Sequence, residues 1–215
     1  MEQYHHEPEG TPPSVIVLCE YSGRVRDAFL DYGWDAYSCD LLPCESDVYD
    51  GRHYQMDAID AMRTRPFWDL IIMHPPCTAL AVSGNAHYGA GRPKAAMRQE
   101  AIEWTTKLWS EACQHSSSVC LENPVGVLGD WIGKPAQYIQ PWQFGHPESK
   151  RTGLWLYGLD PLVPTDILEK PACGYWDNQC PSGQNKLGPS PDRAKIRSLT
   201  YQGIADAMAA QWGQW

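Results

Sequence analysis

A cysteine and a glutamate follow two apolar segments of the chain, and both stand close to proline residues. Cys77 ends the segment DLIIMHPPC at residues 69–77, and Glu122 lies in VCLENP at residues 119–124. Because two consecutive prolines fix the backbone and keep a helix from starting early, the thiol of Cys77 is predicted to be held rigidly. A rigidly held thiol can attack an electrophile, and a carboxyl group beside it can act as a general acid. A structural cysteine after a turn is the alternative, but the glutamate at the end of the next predicted strand favours catalysis.

The segments around these residues alternate between β-rich runs and helical patterns, which indicates an α/β fold with a parallel sheet and crossover helices. The predicted strands are residues 14–20, 35–40, 68–74, 117–123 and 152–158, and the predicted helices are residues 23–33, 57–65, 93–115 and 201–212. In open sheets of this kind, ligands bind beyond the carboxyl ends of the strands. Those ends carry Glu20, Asp40, Cys77 and Glu122. If the strands before Cys77 and Glu122 are neighbours, the thiol and the carboxyl group face one cleft.

The composition indicates a soluble globular protein. Of the 215 residues, 43% are hydrophobic and 20% are charged. No apolar run approaches the roughly 20 residues that cross a bilayer, so no membrane partner is expected. We expect a disordered tail at residues 1–13 and one domain at 14–215, with a short irregular insert at about 159–192. The eight cysteines form no CxxC pair, which favours a reduced, cytoplasmic protein without a metal site.

The net charge of −9 is concentrated at one end of the chain. Residues 1–60 contain 13 acidic and three basic side chains, whereas residues 61–215 contain 13 acidic and 14 basic ones. The larger part can therefore present a basic face to nucleic acid. Three segments could form it: Arg92, Lys94 and Arg98; Lys150 with Arg151; and Arg193, Lys195 and Arg197. Ordinary solvated charge is the alternative for each of these residues.

The motifs together resemble those of the cytosine carbon-5 DNA methyltransferases. HPPCTALAVSG is similar to the Pro-Cys nucleophile loop of that family, and CLENPVG is similar to its Glu-Asn-Val motif. FGHPESKRTGLWL resembles the Gln-x-Arg-x-Arg motif, and TYQGIADAMAAQW resembles the closing motif. VIVLCEYSGRVRDAF, YSCD and HYQMDAID stand in the places of the cofactor motifs. The motifs come in family order over nearly the whole chain, whose compact form most resembles members encoded by bacteriophages.

The resemblance implies a Rossmann-like, S-adenosylmethionine-dependent methyltransferase fold. Its sheet is expected to be mostly parallel, with helices on both faces and a reduced target-recognition region. Asp40 would hold the ribose hydroxyls of S-adenosylmethionine, and Asp57 would hold the adenine amine. The expected cofactor contacts are Glu20, Tyr21, Ser22, Gly23, Asp40, Leu41, Asp57, Pro75, Thr200 and Gln202.

The resemblance also implies a reaction. The thiolate of Cys77 would add to carbon 6 of cytosine, which makes carbon 5 nucleophilic toward the methyl group. Glu122 would bind ring nitrogen 3, and Lys150 replaces one of the family's arginines. In DNA the cytosine must first be flipped out of the stack. The expected substrate contacts are Pro76, Ser83, Asn123, Pro124, Arg151, Arg193, Lys195 and Arg197.

Two departures from the family pattern affect the expected function. The opening loop EYSGR keeps only Gly23 for close backbone approach. The insert at 159–192 is too short for a full DNA-reading domain, so sequence specificity should be low or supplied by a protein partner. The basic residues Arg193, Lys195 and Arg197 are expected to contact DNA phosphates without reading bases. Cofactor binding is expected to survive their reversal to Glu, since they precede the closing helix.

Three functions remain open on the sequence. The first is a DNA cytosine carbon-5 methyltransferase, of the kind found in restriction–modification, acting in the host cytoplasm if a phage encodes it. The second keeps the chemistry but uses a nucleotide or another modified pyrimidine. The third is a methyltransferase-fold binding protein without turnover, such as a phage counter-defence factor. Cys77 and Glu122 favour the two catalytic functions over the third.

Overall fold

The computed structural model describes residues 10–48, 51–188, 190 and 193–214, and in that part the chain forms seven strands and six helices. The strands are β1 (Ser14–Leu18), β2 (Asp35–Asp40), β3 (His53–Gln55), β4 (Leu70–Met73), β5 (Val119–Pro124), β6 (Gln137–Ile139) and β7 (Thr152–Tyr157). The helices are α1 (Arg24–Asp31), α2 (Ala58–Met62), α3 (Asn85–Tyr88), α4 (Ala95–His115), α5 (Arg193–Ser198) and α6 (Gln202–Trp212). Residues 1–9 of the tail expected at 1–13 lie outside the described residues.

All seven strands belong to one sheet in the order β3-β2-β1-β4-β5-β7-β6. β7 runs antiparallel to both of its neighbours, β5 and β6, whereas the pairs from β3 to β5 are parallel. This arrangement is that of the Rossmann-like methyltransferase fold, so the predicted fold class is confirmed. The strand order reverses between β1 and β4, and ligands of such sheets bind at the carboxyl edge of that point.

The central strands are apolar because both of their faces are covered by helices. On one face Val15, Val17 and Ile72 pack with residues of α1 and α6, including Phe29 and Met208. The alternate residues of the same strands pack on the other face with α2 and α4; among them are Ile16, Leu18, Ile71, Met73, Met62 and Leu108. Burying such side chains contributes about 1.5–3 kcal/mol each, so the centre of the sheet is the most rigid platform in the molecule.

The structure differs from the sequence-based expectation in its short elements and in two helix faces. β3, β6, α3 and α5 were not predicted, since three to six residues are too few to show a period. Helical spacing also predicts that Tyr32 and Met97 are buried, but both are exposed. Tyr32 lies just beyond the end of α1, and the first turns of α4 pack on α3 instead of the sheet.

Residues 159–188 form turns without a helix or a strand. The ring of Trp142 stacks on that of Trp176 with centroids 5.8 Å apart, and the carbonyl oxygen of Asp166 accepts a hydrogen bond from the amide of Gly145. These contacts hold the segment against the chain before β7, while the boundaries of the insert stay a prediction. No helix in the described ranges is long and apolar enough to cross a membrane.

Candidate active site

Cys77 lies directly after the two prolines that follow β4, and it starts a tight turn. Its carbonyl oxygen accepts hydrogen bonds from the amides of Leu80 (3.0 Å) and Ala81 (2.8 Å). Pro75 is buried and Pro76 is exposed, so the turn projects from the sheet edge into solvent. The prediction that Pro-Pro presents the thiol at the carboxyl end of a buried strand agrees with this geometry.

The thiol of Cys77 is partly buried and surrounded by charged groups. Burial raises its pKa, and the carboxylate of Glu122 raises it further, whereas the charges of Lys150 and Arg197 act in the opposite direction. The thiol is therefore protonated at neutral pH before a substrate arrives. A nucleophile in this state has to lose its proton when it adds to the substrate.

Glu122 lies on β5, which pairs with β4 in parallel, so the two predicted catalytic residues do come to neighbouring strands. The side chain is 13% exposed, and its Oε2 lies 2.9 Å from Nδ1 of His74. Burial alone would raise the pKa of Glu122, but the charge of Lys150 and the hydrogen bonds of His74 and Thr152 bring it to about 2. Glu122 is therefore an ionised hydrogen-bond acceptor at neutral pH.

His74 and Asn123 support this pair from inside the protein. The side chain of His74 is 6% exposed, and its backbone amide donates to the carbonyl oxygen of Leu18 (2.9 Å), which continues the pairing of β4 with β1. The side-chain amide of Asn123 donates to the carbonyl oxygen of Pro75 (2.8 Å). Asn123, expected to contact the substrate, thus ties β5 to the nucleophile turn.

A narrow pocket is lined by Glu122, Lys150 and Thr152, together with Thr200 and Tyr201 from the segment before α6. The backbone amide of Lys150 donates to Oε1 of Gln140 (3.0 Å), which fixes the chain before β7. The hydroxyl of Tyr201 donates to Oε2 of Glu148 (2.6 Å). Burial and this hydrogen bond raise the pKa of Tyr201, so the pocket wall is neutral there.

Arg98 of α4 anchors the chain after Cys77. Its guanidinium donates to the carbonyl oxygens of Ala79 (2.6 Å) and Ala81 (3.3 Å) and to Oδ1 of Asn85 (2.8 Å). Ser83, expected to contact the substrate, lies exposed in this anchored segment. Pro124, which follows Asn123 and ends β5, is half-buried.

On the cofactor side, the carboxylate of Glu20 caps the first turn of α1. Oε1 accepts from the amide of Val25 (2.6 Å), and Oε2 accepts from the amide of Arg26 (3.3 Å). Burial raises the pKa of Glu20, although His74 and these amide hydrogen bonds act to lower it. Glu20, expected to contact the cofactor, therefore shapes the loop from within, and Ser22 beside it is buried too.

A buried arginine packs against the one glycine of this loop. The guanidinium of Arg26 donates to Oγ of Ser38 (3.2 Å) and Sγ of Cys44 (3.3 Å), and it lies 2.6 Å from Oδ1 of Asp27. Gly23 caps α1 with a φ of 74°, and a Cβ there would lie only 2.7 Å from Nη2 of Arg26. The packing therefore leaves no room for a Cβ at position 23.

Asp40, Leu41 and Asp57 lie together at the outer part of the same edge. Asp40 ends β2, and its Oδ1 accepts from the amide of Leu42 (2.9 Å). Asp57 caps α2, where its Oδ1 accepts from the amide of Ile59 (2.8 Å). The side chain of Leu41 is 72% exposed. Two carboxylates beside an exposed apolar side chain fit a nucleoside, whose hydroxyls and amine need acceptors and whose base needs an apolar contact.

The last expected cofactor contacts come from the end of the chain. The hydroxyl of Tyr21 is buried and donates to the carbonyl oxygen of Lys195 (2.8 Å) in α5. The carbonyl oxygen of Thr200 accepts from the guanidinium of Arg24 (2.8 Å). Gln202 points away, since its amide bonds Oδ1 of Asp206 (2.8 Å) on the surface of α6.

The basic residues of the expected DNA surface differ in their surroundings. Lys195 forms an ion pair with Glu45, and its ammonium lies 5.4 Å from the ring centroid of Tyr21. Lys195 therefore lies beside the loop that is expected to hold the cofactor, because α5 packs on that loop. Arg197 is exposed, and Arg193 is half-buried. Arg151 is exposed and stacks over Tyr138 at 4.1 Å.

His74, Thr152 and Arg98 contact or orient the expected catalytic residues, a role that the sequence did not indicate. Thr152 is matched only to the last position of the Gln-x-Arg-x-Arg motif, and Arg98 only to a basic segment. His74 had a visible signal, because a polar residue ends an apolar strand directly before the two prolines. Arg98 and Thr152 have no such signal, since their contacts join segments far apart in the chain.

No protein-family model matches the sequence. A search of curated proteins finds no match either. Among solved structures, the crystal structure of Dnmt2 methyltransferase from S. pombe matches with a TM-score of 0.46 and 15% sequence identity, over 70% of this chain. The match covers 51% of the Dnmt2 chain, so this protein corresponds to about half of its length. At this identity, residue roles cannot be carried from one sequence to the other.

Proposed function

We propose that this protein transfers a methyl group from S-adenosylmethionine to carbon 5 of cytosine in DNA. The observation that supports this most is the meeting of Cys77 and Glu122 at the carboxyl ends of β4 and β5, with Lys150 acting electrostatically on both. A nucleophilic thiol, an acceptor for the ring edge of a base and a cation that acts on both are the groups that this chemistry requires.

In the proposed reaction the sulfur of Cys77 forms a bond to carbon 6 of the base. The thiol loses its proton and ring nitrogen 3 gains one, so the addition changes no net charge. Oε1 of Glu122 shares the proton at nitrogen 3, while the ammonium of Lys150 stabilises the negative charge on sulfur and carboxylate. Once carbon 5 carries the methyl group, its proton passes to water, the double bond between carbons 5 and 6 forms again and the bond to sulfur breaks. Nitrogen 3 then returns its proton to the sulfur of Cys77, which restores the thiol.

The residues of the other half fit S-adenosylmethionine, which supplies the methyl group when bound. Asp40 would accept from the ribose hydroxyls, and Asp57 would accept from the adenine amine through the oxygen that does not cap α2. Leu41 would pack on the adenine, and the backbone from Glu20 to Gly23 would pass the methionine part.

DNA would lie over two exposed cations, Arg151, which follows Lys150 of the pocket, and Arg197, whose charge acts on Cys77. Phosphate contacts of this kind position a duplex without reading its sequence. The chain between β7 and α5 is short, so we expect low sequence specificity or a protein partner that supplies it. The target base would be flipped into the pocket beside Glu122.

A second candidate is the same chemistry on a free nucleotide. The engagement of Lys195 with Glu45 favours it, because one of the three cations expected to hold DNA is already paired within the protein. The two candidates share Cys77 and Glu122 and differ only in the need for a duplex.

Incubation with isotope-labelled S-adenosylmethionine tests the proposal. Duplex DNA, single-stranded DNA and deoxycytidine monophosphate are supplied separately, and the products are analysed as nucleosides. We expect label in 5-methylcytosine from DNA with wild-type protein, none with Cys77→Ala, and full activity with Cys113→Ala, which removes a partly buried thiol of α4. Label only in the nucleotide supports the second candidate, and label in neither substrate overturns both.

A further inference from the structure

The imidazole of His74 is a buried ionisable group that contacts the carboxylate of Glu122, the proposed catalytic group. It follows β4, which lies between β1 and β5 in the sheet. Its Nδ1 lies 2.9 Å from Oε2 of Glu122, and among the described residues its Nε2 is buried without a hydrogen-bond partner. The mechanism above uses the carboxylate but not the imidazole.

The imidazole has little freedom to move. The backbone amide of His74 donates a hydrogen bond to the carbonyl oxygen of Leu18, and the next residue, Pro75, restricts the backbone conformation of His74. Two charged groups face His74, one from each neighbour of β4. Glu20 follows β1, and His74 acts to lower its pKa against the effect of burial. Glu122 lies on β5 and itself faces Lys150. A donor fixed in this way restrains any acceptor that bonds to it.

Glu122 by contrast has a terminal torsion that is intrinsically broad, since carboxylate planes show only weak rotational preferences. A single hydrogen bond from a fixed donor to Oε2 defines that plane and leaves Oε1 for the substrate. Misplacing a reacting group by about 1 Å can cost about 10²-fold in rate, so such a restraint has catalytic value.

We propose that His74 is a positioning residue, which donates its Nδ1–H to Oε2 of Glu122 and thereby aims Oε1 at the ring edge of the bound pyrimidine. This inference rests on the proposed function. No proton leaves the imidazole in this role: the proton shared with the substrate lies between Oε1 and ring nitrogen 3, while Nδ1–H holds Oε2 throughout.

Two substitutions separate positioning from other roles. His74→Leu keeps the approximate volume and removes the donor, whereas His74→Asn places an amide N–H near the position of Nδ1 but cannot carry a proton. We expect His74→Leu to lower kcat for methyl transfer by about 10²-fold with little change in KM and in the Kd for S-adenosylmethionine. His74→Asn should regain most of the lost rate.

A normal kcat in His74→Leu overturns the inference, and so does a His74→Asn variant that is as slow as His74→Leu while both bind the cofactor. If His74→Leu does not fold, nitrogen-15 NMR of the wild-type imidazole decides. We expect the proton on Nδ1, with a resonance that shifts in Glu122→Gln; an unprotonated Nδ1 overturns the inference. If the wild-type protein methylates none of the pyrimidine substrates, the proposed function itself is overturned.

Discussion

Two buried carboxylates, one on each side of β4, respond to burial in opposite ways. Glu20 after β1 accepts from backbone amides of α1, and burial raises its pKa. Glu122 on β5 is largely enclosed by protein as well, but Lys150, His74 and Thr152 bring its pKa to about 2. Environments that separate two carboxyl pKa values in this way assign different roles to the two groups. Glu20 supports a loop, and Glu122 keeps a charge ready for a ligand.

The two halves of the site differ in construction as well. On the base side, His74, Glu122 and Asn123 lie on or directly after buried strands, and their side-chain hydrogen bonds tie β5 to its neighbours β4 and β7. On the cofactor side, the loop from Glu20 to Gly23 is held by side chains such as Arg26 and is covered by α5. Chemistry on the base side depends on fixed positions, whereas binding on the cofactor side depends on a loop whose packing tolerates few changes.

Among the variants that keep Cys77, Glu122→Gln should give the largest effect, because it removes the charge and one acceptor from the base side alone. We expect methyl transfer to fall by about 10²- to 10⁴-fold, the usual contribution of a general acid or base. The Kd for S-adenosylmethionine should not change in calorimetry. Glu111→Gln on α4, where the carboxylate pairs with Arg63, is the matched control and should keep its activity. A similar loss in both variants contradicts a specific role for Glu122.

The opposite pKa shifts predict opposite pH trends in stability. The folded pKa of Glu122 is lowered from 4.5 to about 2, so its ionised form stabilises the fold above pH 4.5. This contribution, about 3 kcal/mol, is lost as pH falls toward 2. Denaturant titrations should therefore show the stability advantage of wild type over Glu122→Gln shrinking below pH 4.5.

The pKa of Glu20 is raised, so its folded state holds the proton more tightly than the unfolded chain. Its stabilising contribution is complete below its ordinary value and is lost as pH rises through the folded pKa. Wild type should lose stability relative to Glu20→Gln over that rise. Parallel trends in the two variants contradict the contrast between the carboxylates.

Gly23→Ala tests the packing of the cofactor side. Both Gly23 and Gly33 have a positive φ, 74° and 83°, but a Cβ meets Arg26 and Ser46 only at position 23. We expect each alanine variant to lose about 1–2 kcal/mol of unfolding free energy from backbone strain, with a further loss in Gly23→Ala. Calorimetry should show weaker binding of S-adenosylmethionine in Gly23→Ala alone. Equal binding in both variants contradicts a role for this loop in holding the cofactor.

The central strands and the meeting of Cys77 with Glu122 could be predicted from the sequence, because long apolar runs mark β1, β4 and β5 and short motifs follow them. The role of His74 could not, since it depends on β4 lying between the strands that carry Glu20 and Glu122. The packing of α5 on Tyr21 also escaped prediction, because it joins residues more than 170 positions apart. β3 and β6, with three residues each, are defined by pairing alone.

The smallest expected effects separate two neighbouring cations of α5. Lys195→Glu breaks the ion pair with Glu45 beside the cofactor loop, whereas Arg197→Glu changes an exposed charge near Cys77. Since exposed ion pairs contribute about 0.2–1 kcal/mol, Lys195→Glu should weaken S-adenosylmethionine binding only slightly. Arg197→Glu should weaken DNA binding and reduce its salt dependence, measured by titration at several ionic strengths. The reverse pattern contradicts the assignment of the two residues to different halves.

The central claim is that Cys77 forms a covalent bond to the base. DNA that contains 5-fluorocytosine tests it directly, because fluorine cannot leave carbon 5 as a proton does and the adduct persists. We predict that wild-type protein with S-adenosylmethionine forms a stable protein–DNA adduct, that peptide mass spectrometry places it on Cys77, and that Cys77→Ala forms none. An adduct on another residue, or methylated ordinary cytosine without any trapped adduct, contradicts the account.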